Sequence, residues 1–187
     1  MRSSALERSM RKFERHTRAR RGFTLIETAL ATVIVGTGVL AVVTAYQAFH
    51  KQNRWASQAA VGQRLGNEIR ELTLRFPKQD PVTGDAIWGP EEDEFDVVDY
   101  DDLDDFDGFV FSAEDGTGPI NAMGELIEQM PGWSQTVSVQ YIDPFEITQT
   151  VPDRSTDLVR VQVVVRFKET GQTEAEEVTR VSWIAPG

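Results

Sequence analysis

Residues 20–49 read RRGFTLIETALATVIVGTGVLAVVTAYQAF, and this stretch decides the fold. From Thr28 to Phe49 the chain runs 22 residues without a charge. A helix rises about 1.5 Å per residue, so the run is long enough to cross a hydrocarbon layer roughly 30 Å thick. Immediately upstream stand Arg8, Arg11, Lys12, Arg15, Arg18, Arg20 and Arg21. Positive flanks stay on the cytoplasmic side of a membrane. The expectation is an N-terminus inside the cell and everything after Lys51 exported. The apolar run is too long for an ordinary secretory signal, and no small-residue cleavage site precedes KQNRW, so the segment is expected to be kept.

Working outward, the charge divides sharply. Residues 1–22 carry eight basic and two acidic side chains, whereas residues 23–187 carry 11 basic and 28 acidic ones. The chain of 187 residues suits one modest domain plus this N-terminal element. It contains no Cys, which excludes a disulfide framework, a thiolate metal site and a Cys nucleophile.

Glu27 interrupts the apolar character between Ile26 and Thr28. A carboxylate at the centre of a bilayer costs about 2.5–3.5 kcal/mol, much of it relieved near the surface by snorkelling. Two readings follow. Glu27 is interfacial and inert, or it has a cationic partner at its own depth. A free amine at a new N-terminus a few residues upstream, on a neighbouring molecule, would serve as that partner.

The stretch RRGFTLIE, Arg20 to Glu27, with its basic leader and apolar continuation, resembles the N-terminal signature of type IV prepilins and type II secretion pseudopilins. The resemblance is strong over residues 18–75. It implies cleavage by a membrane prepilin peptidase between Gly22 and Phe23 and N-methylation of Phe23, the peptidase also acting as methyltransferase. It further implies a role for Glu27 in pairing with the terminal amine of an adjacent subunit during filament assembly. The missing helix proline and the pattern RWASQAAVGQRLGNEIREL look more like minor pilins of the mannose-sensitive haemagglutinin type, or I-type pseudopilins, than major subunits.

Beyond the membrane, Trp55, Ala59, Gly62, Leu65, Ile69, Leu72 and Phe76 recur at spacings of three and four, one apolar stripe on a helix. Pro77 supplies the stop. A continuous helix from Phe23 to Phe76 would be about 80 Å long. Within the span Thr28, Thr32 and Gly36, then Thr37, Ala41 and Ala45, place small residues every fourth position, either as a surface for close helix packing in lipid or simply because Ala, Thr and Gly are common in membrane helices. The expected organisation is a leader over 1–22, a transmembrane or filament-core helix over 23–50, its amphipathic continuation over 51–76, and an exported acidic head over 77–187.

In the head, residues 77–90 read as a connecting loop. From Glu91 to Asp107, 11 of 17 residues are acidic and none is basic. Phe95, Val97, Tyr100, Leu103 and Phe106 are expected to pin this segment to the domain. Several carboxylates in one place suit a hard cation, and Asp104, Asp105 and Asp107 are the candidate Ca²⁺ ligands, although the spacing does not match an EF-hand loop. Some pseudopilins bind calcium, so the resemblance is compatible with such a site. The other reading is a solvated acidic face with no cofactor.

Pro119 to Met130 reads as a short helix through Ile120, Met123, Ile127 and Met130. Alternation predicts strands over Thr136–Ile142, Leu158–Phe167 and Val178–Ile184, the last two forming a hairpin around Gly171. The expected fold class is α+β, a long N-terminal helix packed on a small antiparallel sheet, pilin-like.

His16 lies in the leader and His50 at the membrane boundary, so residues 51–187 hold neither His nor Cys. That removes the usual nucleophile pairs and His-ligated zinc, and no phosphate-binding loop is present, so no enzyme is expected. The negative head also disfavours nucleic acid as a partner. The sequence therefore points to a minor pilin or pseudopilin, held in the inner membrane with its C-terminal domain in the periplasm and then added to a pilus or pseudopilus. The alternative is a binding or sensor module on an uncleaved single-pass anchor.

Overall fold

The structure, a computed structural model, describes residues 22–80, 88–92 and 94–185. The leader expected over 1–22 therefore lies outside the described residues except for Gly22, as does the middle half of the 77–90 loop, residues 81–87. Helix α1 spans Leu25–Thr73, and strands β1 (Val110–Ser112), β2 (Trp133–Tyr141), β3 (Val159–Phe167) and β4 (Glu176–Ala185) follow. The chain divides into two compact units, Met1–Phe49 and His50–Gly187.

In the first unit, α1 is apolar and unburied. An 18-residue window of this helix has a mean hydropathy of 2.0 and buries nothing. It is long and apolar enough to cross a membrane. Its hydroxyls are hidden within the helix itself: Thr28, Thr32, Thr37 and Thr44 donate to the carbonyls of Thr24, Thr28, Val33 and Leu40 at 3.3, 2.8, 3.0 and 2.9 Å. Each threonine thereby satisfies its donor without water, which an apolar solvent requires.

In the second unit, the same helix buries Gly62, Leu65, Gly66, Ile69, Leu72 and Thr73. These are the three-and-four spacings of one stripe, and they face a four-stranded antiparallel sheet ordered β1-β2-β3-β4. The α+β layout expected from the sequence is therefore present. Two glycines set how closely helix and sheet approach. A Cβ on Gly62 would lie 3.0 Å from Val178 Cγ1, and one on Gly66 would lie 2.5 Å from Val181 Cγ2. Any larger residue at Gly66 forces the layers apart.

Strand β2 alternates buried and half-exposed residues, and β3 contributes Val159, Val161, Val163 and Val165 to the same core. Gln135 is the polar exception, fully buried among apolar neighbours. Its Nε2 donates to Leu65 O at 2.9 Å and Ile120 O at 3.1 Å, and its Oε1 accepts from Ile120 N at 2.8 Å. One side chain thus ties helix, sheet and the 118–130 loop together, with all its buried polar atoms paired.

Several expectations are corrected. The helix ends at Thr73, before Pro77, through turn bonds from Arg75 N to Leu72 O and Phe76 N to Thr73 O. Trp55 is 66 % exposed, because the buried face of the stripe begins only at Gly62. The short helix expected over Pro119–Met130 is absent. Asn121 Oδ1 instead accepts from Met123 N and Glu125 N, Gly124 takes φ +79°, and Ile120 bridges Leu126. An Asn side chain that bonds its own backbone closes a turn and competes with helix, and Gly favours the left-handed position that ends it. Strands β2–β4 occupy the expected regions, β2 beginning three residues earlier and ending one earlier, β3 beginning one later and β4 longer at both ends, and the β3–β4 pair is the expected hairpin. Strand β1 was not foreseen.

Candidate functional site

Two places in the chain concentrate chemistry. At the first, Gly22 and Phe23 lie just outside the helix, in non-helical backbone, with Phe23 88 % exposed. Thr24 caps α1: its hydroxyl accepts from Glu27 N at 3.3 Å, and Glu27 Oε2 accepts from Thr24 N at 2.8 Å and Thr24 Oγ1 at 2.9 Å. This is a reciprocal capping box, in which two otherwise unpaired helix-start donors are satisfied and a negative charge sits at the positive end of the helix dipole. The signal was in the sequence as Thr24-x-x-Glu27 and was not read. Gly22, Phe23 and Glu27 therefore all fall within about one turn of the helix start.

The second place is the acidic segment. Its apolar residues pin it as expected, with Tyr100, Leu103 and Phe106 buried and Val97 packed against the core, but Phe95 is 86 % exposed. A 3-10 turn over Asp104–Phe106 places the Phe106 ring 5.3 Å from Phe76 and 5.1 Å from Tyr100. The three candidate ligands separate in role. Asp107 Oδ2 accepts from Trp88 Nε1 at 3.2 Å, and its Oδ1 accepts from Val139 N at 2.8 Å. Gly108 N and Phe109 O already bond Val137, so the Asp107 carboxylate extends the β1 side of the ladder past the strand's end. Asp104 Oδ2 accepts from Gly89 N at 3.0 Å. These two carboxylates fasten the chain around Trp88 and Gly89 to the sheet.

Asp105 stands elsewhere, with Glu91 and Glu94. One oxygen from each of the three carboxylates lies within 4.8 Å of the other two. Glu91 and Glu94 were not singled out in the sequence, and in a segment so rich in acid no spacing distinguishes them. Burial pushes the Glu94 and Asp105 carboxyls above the ordinary range. Asp102 is pushed up to about 8 by burial and then by its neighbour Asp104, and burial raises the Tyr100 phenol as well.

An open cleft of about 440 Å³ lies beside this segment, lined by Phe95, Val97, Tyr100, Phe109 and Leu126 among others. Among the described residues, the ionisable groups on its lining are Asp96 and Tyr100.

Fold and sites together describe a small α+β head carried on a helix with an apolar, unburied N-terminal half. The chain matches no protein-family model, no curated protein and no solved structure.

Proposed function

We propose that the chain is a minor pilin or pseudopilin, a structural subunit of a type IV pilus or of a type II secretion pseudopilus. Prepilin peptidase cuts it after Gly22 and methylates Phe23. The subunit waits in the inner membrane with its head in the periplasm, then joins other subunits through α1. Repetition of one head-to-tail contact yields an open helical fibre. The observation that carries the reading is Glu27 in the first turn of a helix whose apolar N-terminal half buries nothing, just after the exposed Gly22–Phe23 bond. After cleavage, the Phe23 amine would lie within reach of a neighbour's Glu27 at the same depth. Burial of both charges in lipid then favours association over isolation.

The capping box favours a second reading, because it accounts for Glu27 within a single chain. Under that reading the protein is a binding or sensor module on an uncleaved anchor. Co-expression with a prepilin peptidase, followed by N-terminal sequencing of the mature protein, separates them. The expected sequence begins at Phe23; a chain that keeps its leader rejects the filament reading. Glu27→Gln is the second arm. Glutamine at this position still caps the helix but carries no charge. Incorporation into filaments is expected to fall at least about tenfold while membrane insertion persists, and undiminished incorporation rejects the pairing role.

A further inference from the structure

Asp105 is 1 % exposed, yet only one of its oxygens is satisfied. Oδ2 accepts from Asp101 N at 3.0 Å and Asp102 N at 3.1 Å, while Oδ1 is buried without a hydrogen-bond partner. A turn brings two more carboxylates to it: Glu94 N donates to Glu91 O at 3.1 Å, and Glu91 N donates to Glu94 Oε2 at 3.0 Å. No Lys or Arg occurs from Gln79 to Asp153, a stretch holding 20 of the 30 acidic residues. Sequence neighbours therefore supply no counter-charge. Ionised carboxylates are acceptors only, so Glu94 and Asp105 side by side require a shared proton or a cation.

We propose that Glu91, Glu94 and Asp105 form a Ca²⁺ site. Calcium takes oxygen ligands at about 2.3–2.6 Å, so two oxygens on one ion lie at most roughly 4.6–5.2 Å apart. The three carboxylate oxygens, all within 4.8 Å of one another, meet that condition as they stand. Mg²⁺ demands shorter bonds, near-ideal octahedral geometry and most of its water. Glu91 and Glu94 are half-buried, which leaves room for waters to complete a calcium shell while Asp105 anchors the ion from the interior. A bound ion joins the 91–94 turn to the 3-10 turn that carries Phe106 into the core, so it fixes the acidic segment against the sheet. Three carboxylates with water place the site among those of extracellular modules, with a dissociation constant on the order of 10⁻⁴–10⁻³ M. The inference concerns the head alone and stands apart from the filament reading.

The test uses the full chain in detergent micelles, stripped with a chelator and titrated with calcium chloride near pH 7. Calorimetry follows binding, and tryptophan fluorescence follows melting. One ion per chain is expected, with a rise in melting temperature of roughly 5–10 °C at a hundredfold excess over the dissociation constant. Glu94→Gln and Asp105→Asn are each expected to weaken binding on the order of tenfold or more, while Asp99→Asn, at an exposed acid outside the cluster, leaves it unchanged. Should Asp105→Asn fail to fold, Glu91→Gln and Glu94→Gln carry the comparison, since both residues are half-buried. Absence of binding to the wild-type chain up to about 10 mM, well above the expected range, overturns the proposal. So does binding that survives the Glu91→Gln, Glu94→Gln double change, or magnesium binding as tightly as calcium.

Discussion

The two halves of α1 are one continuous helix built from opposite instructions. From Leu25 to Phe49 apolar side chains surround the helix and none is buried, and the threonine hydroxyls fold back on their own backbone. From Gly62 to Thr73 the apolar positions narrow to one stripe and all of it is buried in the head core. A helix that is apolar all round suits a solvent that is itself apolar, whereas a stripe suits a single partner surface. The first half is therefore complete only in an environment outside the chain, and the second half is complete within it.

The sharpest way to break this contrast is to truncate the same residue type in each half. Leu65→Ala removes a fully buried side chain from the helix–sheet layer and is expected to destabilise the head by about 2–5 kcal/mol. Leu40→Ala should leave the head's melting temperature unchanged. Tryptophan fluorescence reports both, because Trp133 is buried in the head core. Equal effects would mean that the first half does help to stabilise the head.

A glycine pair sharpens the comparison by going the other way. Gly66→Val drives a side chain into Val181 and is expected to cost about 1–3 kcal/mol, read as a lowered urea midpoint. Nothing lies within 4 Å of a Cβ on Gly36, so Gly36→Val should not move that midpoint.

A further contrast is a pH slope, confined to the head. The Asp102 carboxyl is raised to about 8 in the fold against an ordinary value near 3.8. The folded chain then holds a proton that the unfolded chain has released. The associated stability is fully present below about pH 4 and is lost as the pH rises through about 8. With chelator present, the wild type is expected to melt lower at pH 8 than at pH 5. Asp102→Asn keeps an oxygen to accept from Asp104 N and Asp105 N, and should flatten that difference. An unchanged slope would assign the effect to other groups.

The helix and strands β2–β4 were legible because their periodicities run long enough to repeat: seven stripe positions in one case, five alternating residues of β3 in the other. Strand β1 has three residues, too few for alternation to register, and its partner is named only by the fold. The 119–130 segment shows the opposite failure. Ile120, Ile127 and Met130 fall at helical spacing by accident, while Asn121 and Gly124 dictate a turn through one side-chain oxygen and one positive φ. In the acidic segment, composition announced a cluster of charge but could not divide it. Asp104 and Asp107 face backbone and indole donors, and Asp105 faces two glutamates. That division depends on which way each residue of a 3-10 turn points, and eleven carboxylates in seventeen residues carry no trace of it. At the helix start the sequence was explicit, and Thr24-x-x-Glu27 gives Glu27 a local duty beside the intermolecular one proposed for it.

Strand β4 lies at an open margin of the sheet and displays Glu176, Glu177 and Arg180 along it, the last two in mutual contact at 2.8 Å. Charged side chains on a free margin discourage a second sheet from zipping onto it. Heads held at high density on a shared surface would thus be kept from coalescing through β4, and an ordered polymer of this chain would draw its geometry from contacts other than that strand's.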